Sequence, residues 1–114
     1  ANMSLADKIR ESRKITVTIG DLKFTGRRAT AEEFARYMQA QTLDAEVSRY
    51  HITGWDGVKE SDLIDGGKAD LVPFNKELFY EIIGDKPEWF GIIAKTVLED
   101  AMRRITERIE NEKK

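Results

Sequence analysis

Two short segments of strictly alternating apolar and polar residues, at positions 14–19 and 22–25, constrain the fold of this chain more than any other feature. The Gly-Asp pair between them is typical of the two-residue turn that joins antiparallel strands in a β-hairpin. Such a turn places Val17 opposite Phe24 and makes one face of the hairpin apolar, while threonine and lysine occupy the other face. The sequence therefore predicts a hairpin with one face to bury.

After the hairpin, four segments show the apolar spacing of amphipathic helices. Each begins near a residue that caps a helix or suits its first turn, and these residues are Thr30, Asp44, Asn75 and Pro87. We expect the second of these helices to reach Gly54, the third to end at Gly84 and the last to run to about Asn111. Before the hairpin, Ser4 begins a short helix that ends near Arg13.

A stretch without periodicity, residues 55–74, separates the second and third of these helices. Its glycines, its proline and its scattered acidic residues predict a long irregular loop. The expected fold is thus a mostly helical α+β domain, with an N-terminal β-hairpin, about four helices and one long loop. We assign this domain to residues 14–111, residues 1–13 to an expression remnant (positions 1 and 2) with the short helix, and residues 112–114 to a charged tail.

Composition narrows the class of protein. With 114 residues and a net charge of −2, the chain is sized for one domain and lacks the positive field that attracts nucleic acid or an anionic membrane. No apolar run approaches the roughly 20 residues of a membrane span, and no signal-peptide core is present. Cysteine is absent, which fits a reducing compartment. We therefore expect a cytoplasmic protein that binds neither nucleic acid nor membrane.

The sequence offers little for catalysis or metal binding. His51 is its single histidine, and it fits a half-buried helix position better than a catalytic one. The acidic loop fails the calcium pattern, because an EF-hand that began at Asp56 would have Val58 at position 3 and Gly67 at position 12. The glycines fit neither a P-loop nor a dinucleotide fingerprint. We therefore predict a protein that is not an enzyme and holds no cofactor or metal.

A spaced set of short motifs carries a family resemblance. His-Ile-Thr-Gly-Trp-Asp-Gly-Val occupies positions 51–58, Val-Pro-Phe-Asn follows at 72–75, and Gly-Asp-Lys-Pro lies at 84–87. This arrangement, over roughly residues 27–102, resembles the tail assembly chaperone-type proteins of long-tailed phages and prophages. The resemblance implies a largely helical protein that self-associates, binds the tape measure protein and helps tail tube subunits assemble around it. The family offers no catalytic residues to transfer.

A chaperone for a long helical client needs apolar anchors on a charged body. Our candidates for partner contacts are Trp55, Phe74 and Trp89, and those for self-association are Met102 and Ile105. Each of the five is at least as compatible with an ordinary core position.

Two further classes of function remain open at this point. The chain could be a structural component of the virion, such as a head-tail connector or tail terminator. A small enzyme or a nucleic-acid binder has the least support from the residues.

Overall fold

A three-stranded antiparallel sheet packed against helices forms the protein in the computed structural model, which describes residues 3–113. The elements in chain order are α1 (Leu5–Ser12), β1 (Lys14–Ile19), β2 (Leu22–Arg27), α2 (Ala31–Ala40), α3 (Asp44–His51), β3 (Ile52–Asp56), α4 (Glu60–Leu63), α5 (Lys76–Ile83) and α6 (Pro87–Glu112). The predicted α+β class, mostly helical with an N-terminal hairpin, is confirmed. The proposed remnant at positions 1 and 2 lies outside the described residues, as does Lys114 of the charged tail.

The hairpin has the predicted register. Val17 lies opposite Phe24 and Ile19 lies opposite Leu22, with Gly20 at a φ of 58° in the turn between them. Val17 and Phe24 are buried, whereas the threonines on the other face remain exposed. The hairpin thus contributes one apolar face to the core, as the alternation predicts.

A third strand, β3, is the main difference from the sequence prediction, which extended the preceding helix to Gly54. The helix α3 ends at His51, and the chain turns directly into β3, which pairs with β2. Gly26 makes this possible, since a Cβ atom there would lie 2.0 Å from the His51 carbonyl oxygen. Tertiary pairing across this close approach overrides the local helical pattern.

Most helix ends agree with the predicted caps. Thr30 forms the expected capping box, and Asn75 Oδ1 accepts a hydrogen bond of 3.0 Å from the Leu78 backbone amide. At the start of α3, Leu43 occupies the cap position and Asp44 is the first helical residue. The last helix begins at Pro87 and extends one residue beyond the predicted end.

The connection between β3 and α5 is more ordered than an irregular loop. It contains the short helix α4, and its two arms pair through a bridge between Lys59 and Leu71. The Val72 amide also donates to the Val58 carbonyl oxygen at 2.8 Å, and Val58 is buried. These pairings join residues far apart within the loop, and a periodicity search along the sequence cannot detect them.

The buried core lies where the sheet packs against α5 and α6. Strand residues pack against Phe79 and Ile83 of α5 and against Ile93 and Val97 of α6, all fully buried. The radius of gyration is nevertheless 16.0 Å, larger than the roughly 13 Å typical of a compact chain of this length. The helix α1 and the end of α6 therefore extend beyond the core.

Within residues 3–113, no helix is both long enough and apolar enough to span a membrane.

Candidate protein-binding surfaces

Three of the five side chains predicted to contact partners meet in one aromatic cluster. The Trp55 ring stands edge-on to Phe74, with centroids 5.1 Å apart. Phe24 lies next to both tryptophans, 6.5 Å from Trp55 and 5.2 Å from Trp89. The cluster joins β3, the segment before α5 and the start of α6 around a fully buried phenylalanine.

Trp55 also fixes the long connection to the sheet. Its indole Nε1 donates a hydrogen bond of 2.7 Å to the Val72 carbonyl oxygen, and its ring is only half-buried. A small open pocket of about 220 Å³ lies beside it, lined in part by Leu71 and Pro73. Leu71 is 67% exposed. One side of Trp55 thus packs in the core, and the other side contributes to a small exposed apolar surface.

Trp89 occupies a different environment from Trp55. It is 5% exposed, and the Lys86 ammonium lies 5.4 Å from the centre of its ring. Most of this indole packs within the protein, so it leaves little area for a partner. Its position matches the core-edge alternative that the sequence left open.

The two candidates for self-association lie at the other end of the molecule. Met102 is half exposed on α6, and Ile105 is half-buried one turn further along. Ile105 lines an open groove of about 880 Å³ between α1 and the end of α6, together with Ile9 and Ile109. The helix α1 buries none of its residues. Apolar side chains are therefore kept at the surface on both walls of this groove.

Four arginines also line this groove, and we call it the arginine groove after Arg13, Arg28, Arg104 and Arg108, which lie there with Ile9, Ile105 and Ile109. Arg104 Nε lies 3.0 Å from Asp100 Oδ2, and Arg28 Nε lies 3.5 Å from the same oxygen. Within residues 3–113, Arg13 and Arg108 form no ion pair. The groove consequently combines apolar surface with guanidinium groups whose charge is incompletely balanced.

A buried polar network connects α2, β2 and α3. The Tyr37 hydroxyl and His51 Nε2 are 2.8 Å apart, and His51 Nδ1 is 2.7 Å from the Arg27 carbonyl oxygen. Because a carbonyl only accepts, Nδ1 carries the proton, and Nε2 accepts from Tyr37. Arg27 also binds Glu33 with two hydrogen bonds of 2.7 and 2.8 Å. The network secures the chain where α3 turns into β3.

Burial and hydrogen bonding shift the pKa values of two residues in this network, His51 and Glu33. Burial lowers the pKa of His51 below its ordinary value of 6.5, although the hydrogen bond to the Arg27 carbonyl acts in the opposite direction. The hydrogen bonds from Arg27 lower the pKa of Glu33 from 4.5 to about 2. At neutral pH the histidine is therefore neutral and the glutamate is charged.

This network has a structural role that sequence analysis only partly anticipated. His51 was expected to be half-buried, but it is fully buried and has protein partners on both ring nitrogens. Its contacts with Tyr37 and Arg27 link separate elements, so no spacing along the chain signals them. In the described part of the chain, no group of three or more potential ligands from His, Cys, Asp and Glu could hold a metal ion.

Comparisons with known proteins identify no family for this chain. No protein-family model, no curated protein and no solved structure matches the chain. The resemblance to tail assembly chaperone-type proteins thus rests on the motifs of the sequence alone.

Proposed function

We propose that this protein is a non-catalytic protein-binding factor that assists the assembly of phage or prophage tails in the cytoplasm of the host cell. Its partners would be the tape measure and tail tube proteins. The observation that carries the binding role is the exposed apolar surface of α1 and the end of α6, which extends from an otherwise packed domain. Exposed apolar side chains that lie together commonly mark interaction sites, and Ile9, Ile105 and Ile109 line one groove between these two helices.

The aromatic cluster supports this role from the other end of the molecule. The motifs that carry the family resemblance include Trp55 and Phe74, and these two rings pack against each other. Together they hold the long connection against the sheet and leave Leu71 exposed beside them. We assign the partly exposed Trp55 and Phe74 to a second contact surface, whereas the buried Trp89 packs on Phe24 inside the protein.

Self-association is also part of the proposal, and of its two candidate residues, Met102 and Ile105, we assign it to Met102, because Ile105 lines the arginine groove. Both lie on α6 beyond its most tightly packed part, and Met102 is 50% exposed. Sedimentation velocity over a range of concentrations measures this directly. We expect Met102→Lys to weaken an oligomer without unfolding the domain.

Co-purification tests the assembly role. The tagged protein is expressed together with the tape measure and tail tube proteins of its own genetic locus, and we expect at least one of them to be retained. Trp55→Ala is expected to reduce retention, whereas the exposed substitution Lys95→Glu serves as a control. Retention of neither tail protein would refute the assembly role.

Mass spectrometry of purified particles separates the proposal from the structural alternative. An assembly factor should be absent from finished virions. A head-tail connector or tail terminator should be present in them at a fixed stoichiometry.

A further inference from the structure

The arginine groove carries isoleucines on both of its walls, and its length along α6 matches about two turns of a helix. Its lining residues on α6 extend from Arg104 to Glu112, which corresponds to about 12 Å of helix, or roughly two turns. Ile105 and Ile109 are spaced by four residues and so lie on one side of α6, and Ile9 faces them from α1. A ridge of apolar side chains on a partner helix could pack between these residues.

The charge of the groove indicates which charged residues a partner helix should carry. Among residues 3–113, four arginines and two carboxylates, those of Glu107 and Glu112, line it. Asp100 balances part of the charge of Arg28 and Arg104, while Arg13 and Arg108 have no ion-pair partner within residues 3–113. A partner with carboxylates beside its apolar ridge would complement this excess.

We propose that the arginine groove binds an acidic amphipathic helix of a partner protein. This inference rests on the proposed protein-binding function and names the chemistry of the partner. Arg13 and Arg108 pair with carboxylates of the bound helix, and the three isoleucines contact its apolar side. Binding therefore weakens as the salt concentration rises.

Two other occupants fit the groove less well. Nucleic acid would supply negative charge, but no aromatic side chain lines the groove to stack against bases. A second copy would have to offer one of its own exposed helical segments. Neither α1 nor the end of α6 is acidic, since residues 5–12 carry two acidic and two basic side chains and residues 101–112 carry three of each.

The test uses synthetic helical peptides of about 18 residues, long enough to populate a helix. One peptide has leucines on one face with glutamates beside them, and its control has lysines in place of the glutamates. Fluorescence anisotropy with the full chain measures both affinities. We expect the acidic peptide to bind at least about ten times more tightly than the basic one, because its charges attract the arginines that the lysines repel. Equal affinities, or no binding by either peptide, would overturn the proposal.

Charge reversal within the groove locates the site. Arg108→Glu and Arg13→Glu change exposed residues, and each should lower the affinity for the acidic peptide by about ten-fold. Lys95→Glu makes the same change in charge on α6 outside the groove lining and should leave the affinity unchanged. Circular dichroism checks that all three variants fold. If neither groove variant weakens binding, or if the control weakens it equally, the groove is not the site.

Two further measurements separate this proposal from its rivals. A dimer that dissociates in Ile109→Lys would assign the groove to a second copy and contradict our inference. If the peptides bind as expected but no tail protein co-purifies, the helix-binding groove stands and the tail-assembly role fails. If a tail protein co-purifies equally with wild type and Arg108→Glu and neither peptide binds, the assembly role stands and the groove proposal fails.

Discussion

The aromatic cluster and the arginine groove both contain bulky apolar side chains, but these are mostly buried in the cluster and partly exposed in the groove. Around Phe24, rings from the sheet and from α5 and α6 are buried against one another. In the groove, Ile9 and Ile109 remain 41% and 48% exposed. Because burial from water supplies the stabilisation, the first region should determine the stability of the fold. The second is the region where substitutions should alter binding with little effect on folding.

The sharpest test of this contrast removes one apolar side chain from each region. Phe24→Ala deletes a fully buried ring at the centre of the cluster and should lower the free energy of unfolding by about 3–5 kcal/mol. Ile109→Ala removes a half-exposed side chain and should change it by no more than about 0.5 kcal/mol. Urea denaturation monitored by circular dichroism measures both. Similar losses for the two variants would show that the groove end is part of the stabilising core.

A pair of glycine substitutions tests the close packing of the sheet side independently of apolar burial. In Gly26→Ala the new Cβ atom would lie 2.0 Å from the His51 carbonyl oxygen, which belongs to the backbone and cannot move aside without shifting α3. We expect a loss of at least about 2 kcal/mol of unfolding free energy, of the size that overpacking causes.

Gly91→Ala is the matched control, because within residues 3–113 no atom outside the adjoining helix backbone lies within 4 Å of the added Cβ atom. Gly91 lies inside α6, so the alanine should stabilise the protein by about 0.5–1 kcal/mol through helix propensity. The same thermal or urea melts measure both substitutions. Tolerance of Gly26→Ala would mean that β2 and α3 are less closely packed than the structure indicates.

The sequence was sufficient where local chemistry determines structure, as in the hairpin register and the Thr30 capping box. It was insufficient where distant segments decide the outcome. Strand β3 depends on pairing with β2 at Gly26, and Gly54 interrupts the alternation of its side chains. For the candidate site, sequence spacing identified Ile105 as an apolar residue on the last helix. Only the fold places it beside Arg13 and Ile9 in a groove.

The smallest expected effect concerns pH and again separates the two regions. Burial lowers the folded-state pKa of His51 below 6.5, so below that pH the unfolded chain binds a proton that the folded chain resists. The contribution of neutral His51 to the free energy of unfolding should therefore be fully present above about pH 6.5. It should decline as the pH falls toward the lower folded-state pKa. Glu33 acts in a second window, because its carboxylate stabilises the fold above pH 4.5 and this contribution is lost as the pH falls to about 2.

Urea denaturation at a series of pH values resolves these two windows. His51→Gln cannot titrate and should flatten the decline just below pH 6.5, while leaving the decline below pH 4.5 in place. Arg108→Glu, in the arginine groove, should leave the upper window unchanged, since Arg27 and Glu33, which act on the pKa of His51, do not line the groove. If His51→Gln kept the full decline below pH 6.5, the buried network could not be its source. The decline would then come from titrating groups other than His51.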